Sequence, residues 1–375
     1  MKLTFKFTFA ALLLSTFGLF AQNDTEPTSN KPGENMEDDG KPGLTISGFA
    51  DVYYQQNFTE GATSGEPLVF PTSFTGRANE FTIGMANVTL AQEWDKVSVV
   101  AQLGFGPRAV DANVDVPAVQ QLFVTYAPSD FVTFTLGNFG TFVGYEVIDP
   151  INVNYSTSYL FSNGPFFHTG LKADFAIAEG FGAMVGVFND TDSKFDEVEG
   201  KHIGAQLSAE SGGLAAYLNF LAGKEGEGAT DDLDQTGFQV DLTATYEISE
   251  TLMLGLNVSD KSSSIDGNTV DGFTGAALYA TVGLSDGFDI GLRGEYFTRK
   301  QADAITTDAP SVTAFTLSGN YKVGPLTFIP EVRFDSGNDS FLFPAEGFDE
   351  DLGLPIISSD DTSVASFILA AVYTF

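Results

Sequence analysis

The sequence predicts an all-β protein, a transmembrane up-and-down antiparallel β-barrel of about 16 strands with a long third external loop folded into the lumen. The composition supports this class, because the 375 residues include 40 Gly, 36 Phe and 12 Tyr, and aromatic residues favour strands. Segments of about 9–13 residues also alternate between apolar and polar side chains, which is typical of membrane-spanning strands. No segment after the N-terminal region reaches the ~18–20 apolar residues of a transmembrane helix.

The alternation is clearest in the segment Phe238–Glu247. Its apolar residues, from Phe238 to Tyr246, fall on one face, and its polar residues, from Gln239 to Glu247, fall on the other. Such a period of two over a membrane-spanning length indicates a strand with one buried face. Three further segments repeat the pattern: Phe288–Arg299, Leu326–Asp335 and Phe167–Ala176.

The connections between the predicted strands alternate in length. Seven short turns alternate with eight long loops. Two of the long loops are Gly140–Phe166 and Asp260–Asp271. Outer-membrane barrels have this rhythm, with short periplasmic turns and long external loops, whereas a soluble sandwich has no reason to adopt it. Strands are predicted to begin near Leu44, Phe81, Lys96, Val119, Phe131, Phe167, Phe181, Lys201, Leu214, Thr236, Thr251, Gly272, Gly287, Ser311, Pro325 and Ser363.

The charge and the rare residue types exclude several classes of function. A formal net charge of −33 argues against nucleic-acid binding, which needs clustered Lys and Arg. The absence of Cys removes disulfides, Cys-based zinc sites and thiol catalysis, and two His residues are too few for a multi-histidine metal centre. No G-x-S-x-G segment marks a serine nucleophile. We therefore expect no metal, no cofactor and no enzymatic activity.

The two ends of the chain indicate export to the bacterial outer membrane. Lys2 and Lys6 precede an apolar run that closes at Ala21, so residues 1–21 are predicted to be a signal peptide. Residues 22–43 are predicted to form a disordered periplasmic leader, and residues 44–375 the barrel. The terminal Phe375 follows alternating large residues, and we expect it to be the signal that the barrel assembly machinery reads.

The polar faces of the predicted strands point into the barrel. A dry interior could not hold so many ionisable groups without large desolvation penalties, and a barrel of about sixteen strands can enclose a water-filled channel. We therefore expect an aqueous pore. Its predicted lining residues are Asp174, Asp241, Glu247, Asp289, Arg293, Glu295, Arg299, Glu331, Arg333 and Asp335.

The loop Gly140–Phe166 is predicted to form the pore constriction. Its acidic residues Glu146 and Asp149 are expected to face basic wall residues such as Lys172, Arg293 or Arg333, which would set up a transverse field. His168, at the junction of this loop with the next strand, is expected to anchor the loop by a hydrogen bond. The other arrangement is a loop that only caps the barrel from outside.

Two acidic segments suggest weaker roles outside the barrel. Ser336–Thr362 contains seven acidic residues and no Lys or Arg, so it is expected to be a solvated external face that favours cations and contacts lipopolysaccharide through divalent ions. Asn189–Glu197 is rich in oxygen ligands but lacks the spacing of an EF-hand. His202, beside Lys201, is interpreted as a surface residue.

Three segments give the sequence a family resemblance. They are ISGFADVYYQQNF (46–58), LGNFGTFVGYEVIDPINVNYSTSYLF (136–161) and GPFFHTGLKADF (164–175). They resemble the OmpL-like β-barrel porins (porin-2 family) of Bacteroidota. The family usually has a basic residue after its Tyr-Ser pair, where this chain has Thr157 after Ser156. The residues that carry the most specific part of the resemblance are Gly137, Gly144, Glu146, Asn154, Tyr155, Ser156, Pro165, His168, Thr169 and Gly170.

The resemblance implies a general or weakly selective outer-membrane pore, which agrees with the interpretation of the strands and loops. We expect passive diffusion of small hydrophilic solutes and ions, with mild cation selectivity at low salt. A substrate-selective channel is the main alternative, and a structural or adhesive barrel or an outer-membrane hydrolase are further ones. Outer-membrane lipid and lipopolysaccharide are the expected surroundings, and porins of this width often form homotrimers.

Overall fold

The structure is a computed structural model with side chains. It describes residues 43–58, 72–113, 115–195, 200–227, 234–302, 309–338, 345–349, 354–357 and 363–375. The expected signal peptide, nearly all of the expected leader and most of the acidic segment 336–362 lie outside these residues, as does the end of 189–197.

Sixteen strands of the described chain close into one antiparallel barrel, which confirms the predicted class. Barrel strands that follow one another along the chain lie next to one another in the barrel, and the first strand pairs with the last. Each observed barrel strand begins within four residues of its predicted start, because the alternation that builds a strand is visible in the sequence. The barrel strands are β1 (Thr45–Asn57), β2 (Glu80–Trp94), β3 (Val97–Phe105), β4 (Val119–Ser129), β5 (Val132–Gly140), β6 (Phe167–Ala178), β7 (Phe181–Phe188), β8 (His202–Ser211), β9 (Leu214–Glu227), β10 (Asp234–Ser249), β11 (Leu252–Ile265), β12 (Asn268–Ser285), β13 (Phe288–Arg299), β14 (Ser311–Val323), β15 (Leu326–Gly337) and β18 (Ser363–Thr374).

The seven predicted short turns are tight hairpins. Each leaves two residues between the strand ends, from 95–96 after β2 to 324–325 after β14. Two-residue loops favour positive φ, and Asp95, Gly180 and Gly324 adopt it. All seven lie at the same end of the barrel, which we call the short-turn end.

One predicted long loop, Asp260–Asp271, is wrong in form. β11 and β12 continue through most of it and pair up to Ile265 and Asn268, leaving Asp266-Gly267 as a two-residue hairpin turn. Both turn residues have positive φ, at 51° and 82°. An Asp-Gly pair is a strong hairpin signal in a sequence, so the polar residues around it extend the strands beyond the expected span.

The chain closes the barrel between its first and last strands. Phe49 pairs with Thr374 in the register of β1 with β18. The Gly48 N–H donates to the Phe375 carbonyl at 2.9 Å, and the Phe375 N–H donates to the Gly48 carbonyl at 3.0 Å. Closure leaves no unpaired sheet edge, and it positions the C-terminal residue at the short-turn end.

The long connections contain short elements that the alternation did not predict. Helix α1 (Pro107–Ala112) follows β3, and α2 (Tyr159–Asn163) lies in the connection after β5. A hairpin of β16 (Ala345–Asp349) and β17 (Leu354–Ile357) lies between β15 and β18. In the part of the chain that the structure describes, no helix is long and apolar enough to cross a membrane.

Two paired glycines, one on β5 and one on β6, allow the close approach of the flanking strands β4 and β7. Gly137 pairs with Gly170, and Gly137 has φ of +137°. A Cβ atom on Gly170 would lie 2.2 Å from the Val187 carbonyl oxygen of β7. Only glycine fits at such backbone approaches, so this pair shapes the wall from which the connection 140–166 departs.

Candidate functional site

The barrel strands carry buried polar side chains on one face and exposed apolar side chains on the other. On β13, Arg293 and Glu295 are each 3% exposed, whereas the adjacent Leu292 and Tyr296 are 42% and 52% exposed. In a closed barrel the buried face is the inward one. The predicted inward phase of Asp241, Arg293, Glu295, Glu331, Arg333 and Asp335 is therefore the observed one.

The outward face forms an apolar band rich in aromatic side chains. Near the short-turn end, Trp94, Tyr246, Tyr321 and Tyr373 are each about half exposed. An outward apolar surface with flanking aromatic residues matches lipid and its interfaces, which is the arrangement of outer-membrane barrels.

The inward charges on β13 to β15 are arranged in rows around the wall. Arg333 pairs with Thr316 of β14, and Thr316 pairs with Arg293 of β13, so the two arginines share one row. One step further from the short-turn end, Asp335 and Glu295 share a row through Ala314. Glu331 lies on the other side of the arginine row, so basic groups lie between acidic groups along the barrel axis.

Glu146, in the connection after β5, forms an ion pair with the arginine row. Its Oε1 accepts from the Arg293 guanidinium at 2.8 Å, and both side chains are buried. Its Oε2 accepts the Ser158 N–H at 2.8 Å. Ser158 also caps α2, because its Oγ accepts the Phe161 N–H at 3.0 Å. The expected pairing of Glu146 with Arg293 is therefore present.

Main-chain groups of the same connection bind two wall carboxylates. The Tyr155 and Ser156 N–H groups donate to Glu331 at 2.7 and 3.1 Å. The Tyr159 and Leu160 N–H groups donate to Glu295 at 2.9 and 2.8 Å. Each carboxylate thus satisfies two amide donors that would otherwise be buried without a partner, which is costly.

Arg333, the second arginine of the row, binds a main-chain carbonyl group of the same connection. Arg333 Nη1 donates to the Thr157 carbonyl at 2.8 Å, and Nε donates to Asp335 at 2.9 Å. Arg293 Nη1 donates to the Ser156 carbonyl at 2.7 Å. The basic partners of this segment therefore come from the barrel wall.

Asp241 receives the first part of the connection on another wall segment. Its Oδ1 accepts the Gly144 N–H and the Asn219 amide, both at 2.9 Å, and its Oδ2 accepts the Asn257 amide at 2.6 Å. Asp241 is 1% exposed. The connection therefore contacts the inward face on β10 as well as on β13–β15.

His168 and Lys172, both on β6, have different surroundings from Glu146. His168 Nε2 lies 2.9 Å from Thr141 Oγ1, at the start of the connection. The Lys172 ammonium binds Asp174 on its own strand at 2.8 Å. The expectation that Lys172 pairs with Glu146 is wrong, because β6 lies seven strands around the barrel from β13, where Glu146 is bound.

Asp149 lies near Arg108, a residue of α1, and not near the expected wall residues. Burial raises the pKa of its carboxyl to about 6, and the nearby Arg108 guanidinium partly opposes that shift. Its backbone carbonyl accepts the Asn152 side-chain amide at 2.9 Å. The two predicted acidic residues of the constriction therefore have separate basic neighbours.

Three of the predicted lining residues lie at the ends of the barrel. Glu247 and Asp289 lie at the short-turn end, where Asp289 binds Lys322 at 2.7 Å. Arg299 ends β13 at the opposite side, and both Glu247 and Arg299 are exposed. These residues face the mouths of the barrel and not its middle.

The interpretation of His202 as a surface residue is wrong. His202 is 3% exposed and packs beside Gly223 of the neighbouring strand. Because the neighbouring Lys201 is also polar, the sequence does not show which of the two side chains points inward. Among the described residues, no group of three or more His, Asp or Glu side chains could hold a metal ion.

Asp51, Arg108 and Tyr155 are part of the site and were not predicted as such. Asp51 Oδ2 accepts the Tyr155 hydroxyl at 2.6 Å and lies 3.3 Å from Arg108 Nη2. Asp51 shares the inward face of β1 with the buried aromatic residues Phe49 and Tyr53, so the alternation of polar and apolar residues does not mark it as inward. Nothing in the sequence pattern indicates where the Arg108 side chain lies, because it is in a connection.

A closed barrel of sixteen strands, with an apolar exterior and a charged interior, defines an outer-membrane β-barrel of the porin class. The chain belongs to the family described as "Putative beta-barrel porin-2, OmpL-like", whose match covers residues 43–375. This family membership confirms the predicted resemblance to the OmpL-like porin-2 family. No curated protein has significant sequence similarity to the chain.

Solved structures of outer-membrane proteins share the fold at low identity. The outer membrane channel DcaP of Acinetobacter baumannii has a TM-score of 0.60 and 13% identity, over 91% of this chain and 99% of that one. OmpT of Vibrio cholerae, in a trimer form, has a TM-score of 0.59 and 14% identity, over 89% and 100%. OmpF of Salmonella typhi, in complex with daunomycin, has a TM-score of 0.56 and 11% identity, over 89% and 98%.

Proposed function

We propose that the protein lets small hydrophilic solutes and ions diffuse passively across the outer membrane, with a constriction formed by residues 140–166. The observation that carries this proposal is the set of contacts between this connection and inward-facing wall residues, from Gly144 on Asp241 to Leu160 on Glu295. A segment held on the inward face of a closed barrel must narrow the space that the barrel encloses.

The charges of the site support a constriction with polar character. Glu146, Arg293 and Arg333 belong to one hydrogen-bonded group, in which acidic and basic side chains lie side by side. Charged groups near a narrow passage orient dipolar solutes and select ions by sign. The excess of acidic residues over the whole chain, with a net charge of −33, favours mild cation selectivity at low salt.

A substrate-selective channel is the second candidate, and the burial of the wall charges favours it. Arg293, Glu295, Glu331, Arg333 and Asp335 are each at most 3% exposed. Charges that are already paired and covered do not attract bulk ions strongly. A solute that binds these groups in place of the connection would compete for them.

The cellular setting and assembly state belong to the same proposal. We place the protein in the bacterial outer membrane, exported through a signal peptide of residues 1–21 and assembled through Phe375 by the barrel assembly machinery. A homotrimer in lipopolysaccharide-rich membrane is the proposed state, because the similar OmpT structure is described as a trimer form. We propose no enzymatic activity, since the charged groups of the site are engaged in holding the connection.

The test is planar-bilayer recording of the purified, folded protein, with reversal potentials measured in a salt gradient. Stepwise openings with weak cation selectivity would support a general pore. Block of the current by one class of solute would support the selective channel. A folded barrel without any openings would contradict both, and a preference for anions would contradict the proposed selectivity.

A matched pair of variants tests the role of the connection. Glu146→Lys reverses a charge at the proposed constriction, whereas Glu247→Lys reverses one that is exposed at the short-turn end. We expect Glu146→Lys to shift the reversal potential more strongly. Equal shifts in the two variants would contradict a constriction at Glu146.

A further inference from the structure

Three long connections, and not only the predicted third, meet on the inward face. The Ser73 N–H, in the connection before β2, donates to Ser162 Oγ at 2.9 Å, and Thr157 Oγ1 donates to the Ser73 carbonyl at 3.0 Å. The Phe74 and Phe161 rings contact each other with centroids 6.0 Å apart. The first connection is therefore bound to the third by both polar and aromatic contacts.

Arg108, on α1 in the second connection, contacts the first connection, the third connection and the barrel wall. Its Nη1 donates to the Ile148 carbonyl of the third connection at 3.2 Å, and its Nη2 lies 3.3 Å from Asp51 Oδ2 on β1. Its guanidinium also lies 5.0 Å from the ring centroid of Phe74 and 5.2 Å from that of Tyr155. Arg108 is 1% exposed, so these contacts are shielded from bulk solvent.

Asp51 provides the fixed end of this arrangement on the barrel wall. Its Oδ1 accepts the Met85 N–H of β2 at 2.7 Å, and its Oδ2 accepts the Tyr155 hydroxyl at 2.6 Å. The carboxylate is thus held by two neighbouring strands while it binds the second and third connections. A charge so firmly placed fixes the position of its counter-ion.

The chemistry requires arginine at this position. A guanidinium is planar, so its edge donates to two acceptors while its faces contact aromatic rings. A lysine ammonium is a compact point charge on a flexible chain and cannot make the four contacts together. The positive charge is also needed, because Asp51 would otherwise be a buried carboxylate without a cation.

We infer that Arg108 is the positioning residue of the constriction. It holds the third connection at Ile148 against the wall at Asp51 and ties the first connection to both through Phe74. Residues of the first and second connections are then parts of the constriction, which the third connection alone does not form. The inference rests on the proposed function in taking the third connection as the narrow part of the pore.

A cysteine reporter tests this inference, and the chain has no native Cys to interfere. Ile148→Cys is introduced into the full-length protein, and the labelling rate with a small, charged methanethiosulfonate is compared with and without Arg108→Ala. Ile148 is packed against the inner apolar residues. We therefore expect slow labelling with Arg108 present and at least a tenfold faster rate in its absence.

Arg77→Ala is the matched control. Arg77 belongs to the first connection and pairs with Glu80, but its side chain is 55% exposed. Exposed ion pairs contribute little, so this variant should leave the labelling rate and the reversal potential unchanged. Arg108→Lys retains the charge without the planar group and should restore only part of the slow labelling.

The outcomes separate a positioning role from general stabilisation. Faster labelling and a changed reversal potential, with the barrel still folded by its heat-dependent electrophoretic shift, support the inference. An unchanged labelling rate in Arg108→Ala overturns it, as does an equal increase in Arg77→Ala. If Arg108→Ala does not fold, the same comparison is made with Arg108→Lys. The labelling experiment does not require that the protein conduct ions. If the wild-type protein shows no channel openings, the proposed function is refuted, but the labelling rates still test whether Arg108 positions the connection.

Discussion

Removal of Arg293 should release the third connection from the wall. Arg293 donates to Glu146 at 2.8 Å and to the Ser156 carbonyl at 2.7 Å. In Arg293→Met, Glu146 becomes a carboxylate that is 6% exposed and has lost its cation. Breaking a buried pair on one side costs about 3–5 kcal/mol.

The size of the effect follows from this cost. A difference of about 3 kcal/mol changes an equilibrium by more than about a hundredfold. If the whole cost falls on the docked state, in which the connection is bound to the wall, the fraction of molecules with an undocked connection rises by that factor. The double variant Arg293→Met/Glu146→Gln removes both charges of this pair, and the amide oxygen that replaces the carboxylate can still accept the Ser158 N–H. Both variants lose the hydrogen bonds of Arg293 and its positive charge beside Glu295, so they differ in the unpaired carboxylate of Glu146.

The assay is the labelling rate of a cysteine at Ile148 in each background. Where opening and closing are fast, this rate is proportional to the undocked fraction. We expect an increase of about a hundredfold for the single variant, from the buried-pair cost, and a clearly smaller one for the double variant. Equal rates in the two variants would refute the reasoning, because they would mean that the charge of the Glu146 carboxylate costs nothing once its cation has been removed.

Three further predictions concern pH, assembly and packing. Burial raises the pKa of Asp149 from 3.8 to about 6, so its contribution to stability is full below pH 3.8 and is lost as the pH rises from there through about 6. Asp149→Asn should therefore raise the melting temperature at about pH 8 and hardly change it at about pH 3, and equal effects at both would contradict this. Phe375→Ser should lower the yield of folded barrel in the outer membrane while Phe375→Tyr retains it, as measured by the heat-dependent electrophoretic shift. Gly170→Ala would place a Cβ 2.2 Å from a backbone carbonyl oxygen and should cost at least about 1–3 kcal/mol of stability. Gly294→Ala is the control, because its Cβ would make only ordinary contacts to an aromatic ring and should be tolerated. Similar denaturation midpoints for the two variants would refute the close approach at Gly170.

The barrel could be predicted from the sequence because each strand is marked by the pattern of residues within its own segment. Alternation in segments such as Phe238–Glu247 decides both the existence of a strand and its inward face. Where the alternation is interrupted by turn-like polar residues, as at Asp260–Asp271, the prediction ended the strands too early. The Asp266-Gly267 pair was the available signal, and it marks the turn correctly.

The candidate site could be predicted only in part, because its contacts join residues far apart in the sequence. The pairing of Glu146 with Arg293 was expected from their opposite charges and their places in the topology. The choice between Arg293 and Lys172 depended on which side of the barrel the connection reaches, and alternation contains no information about that. Arg108 was missed for the same reason, since a residue in a connection has no predicted face.

The attachment of the third connection to Glu295 and Glu331 is made by main-chain N–H groups. Every residue except proline supplies such a donor. A substitution in the connection to any residue except proline therefore leaves these donor groups in place. Relatives of this protein could thus acquire different solute preferences by substitutions in the connection, without rebuilding the wall that holds it.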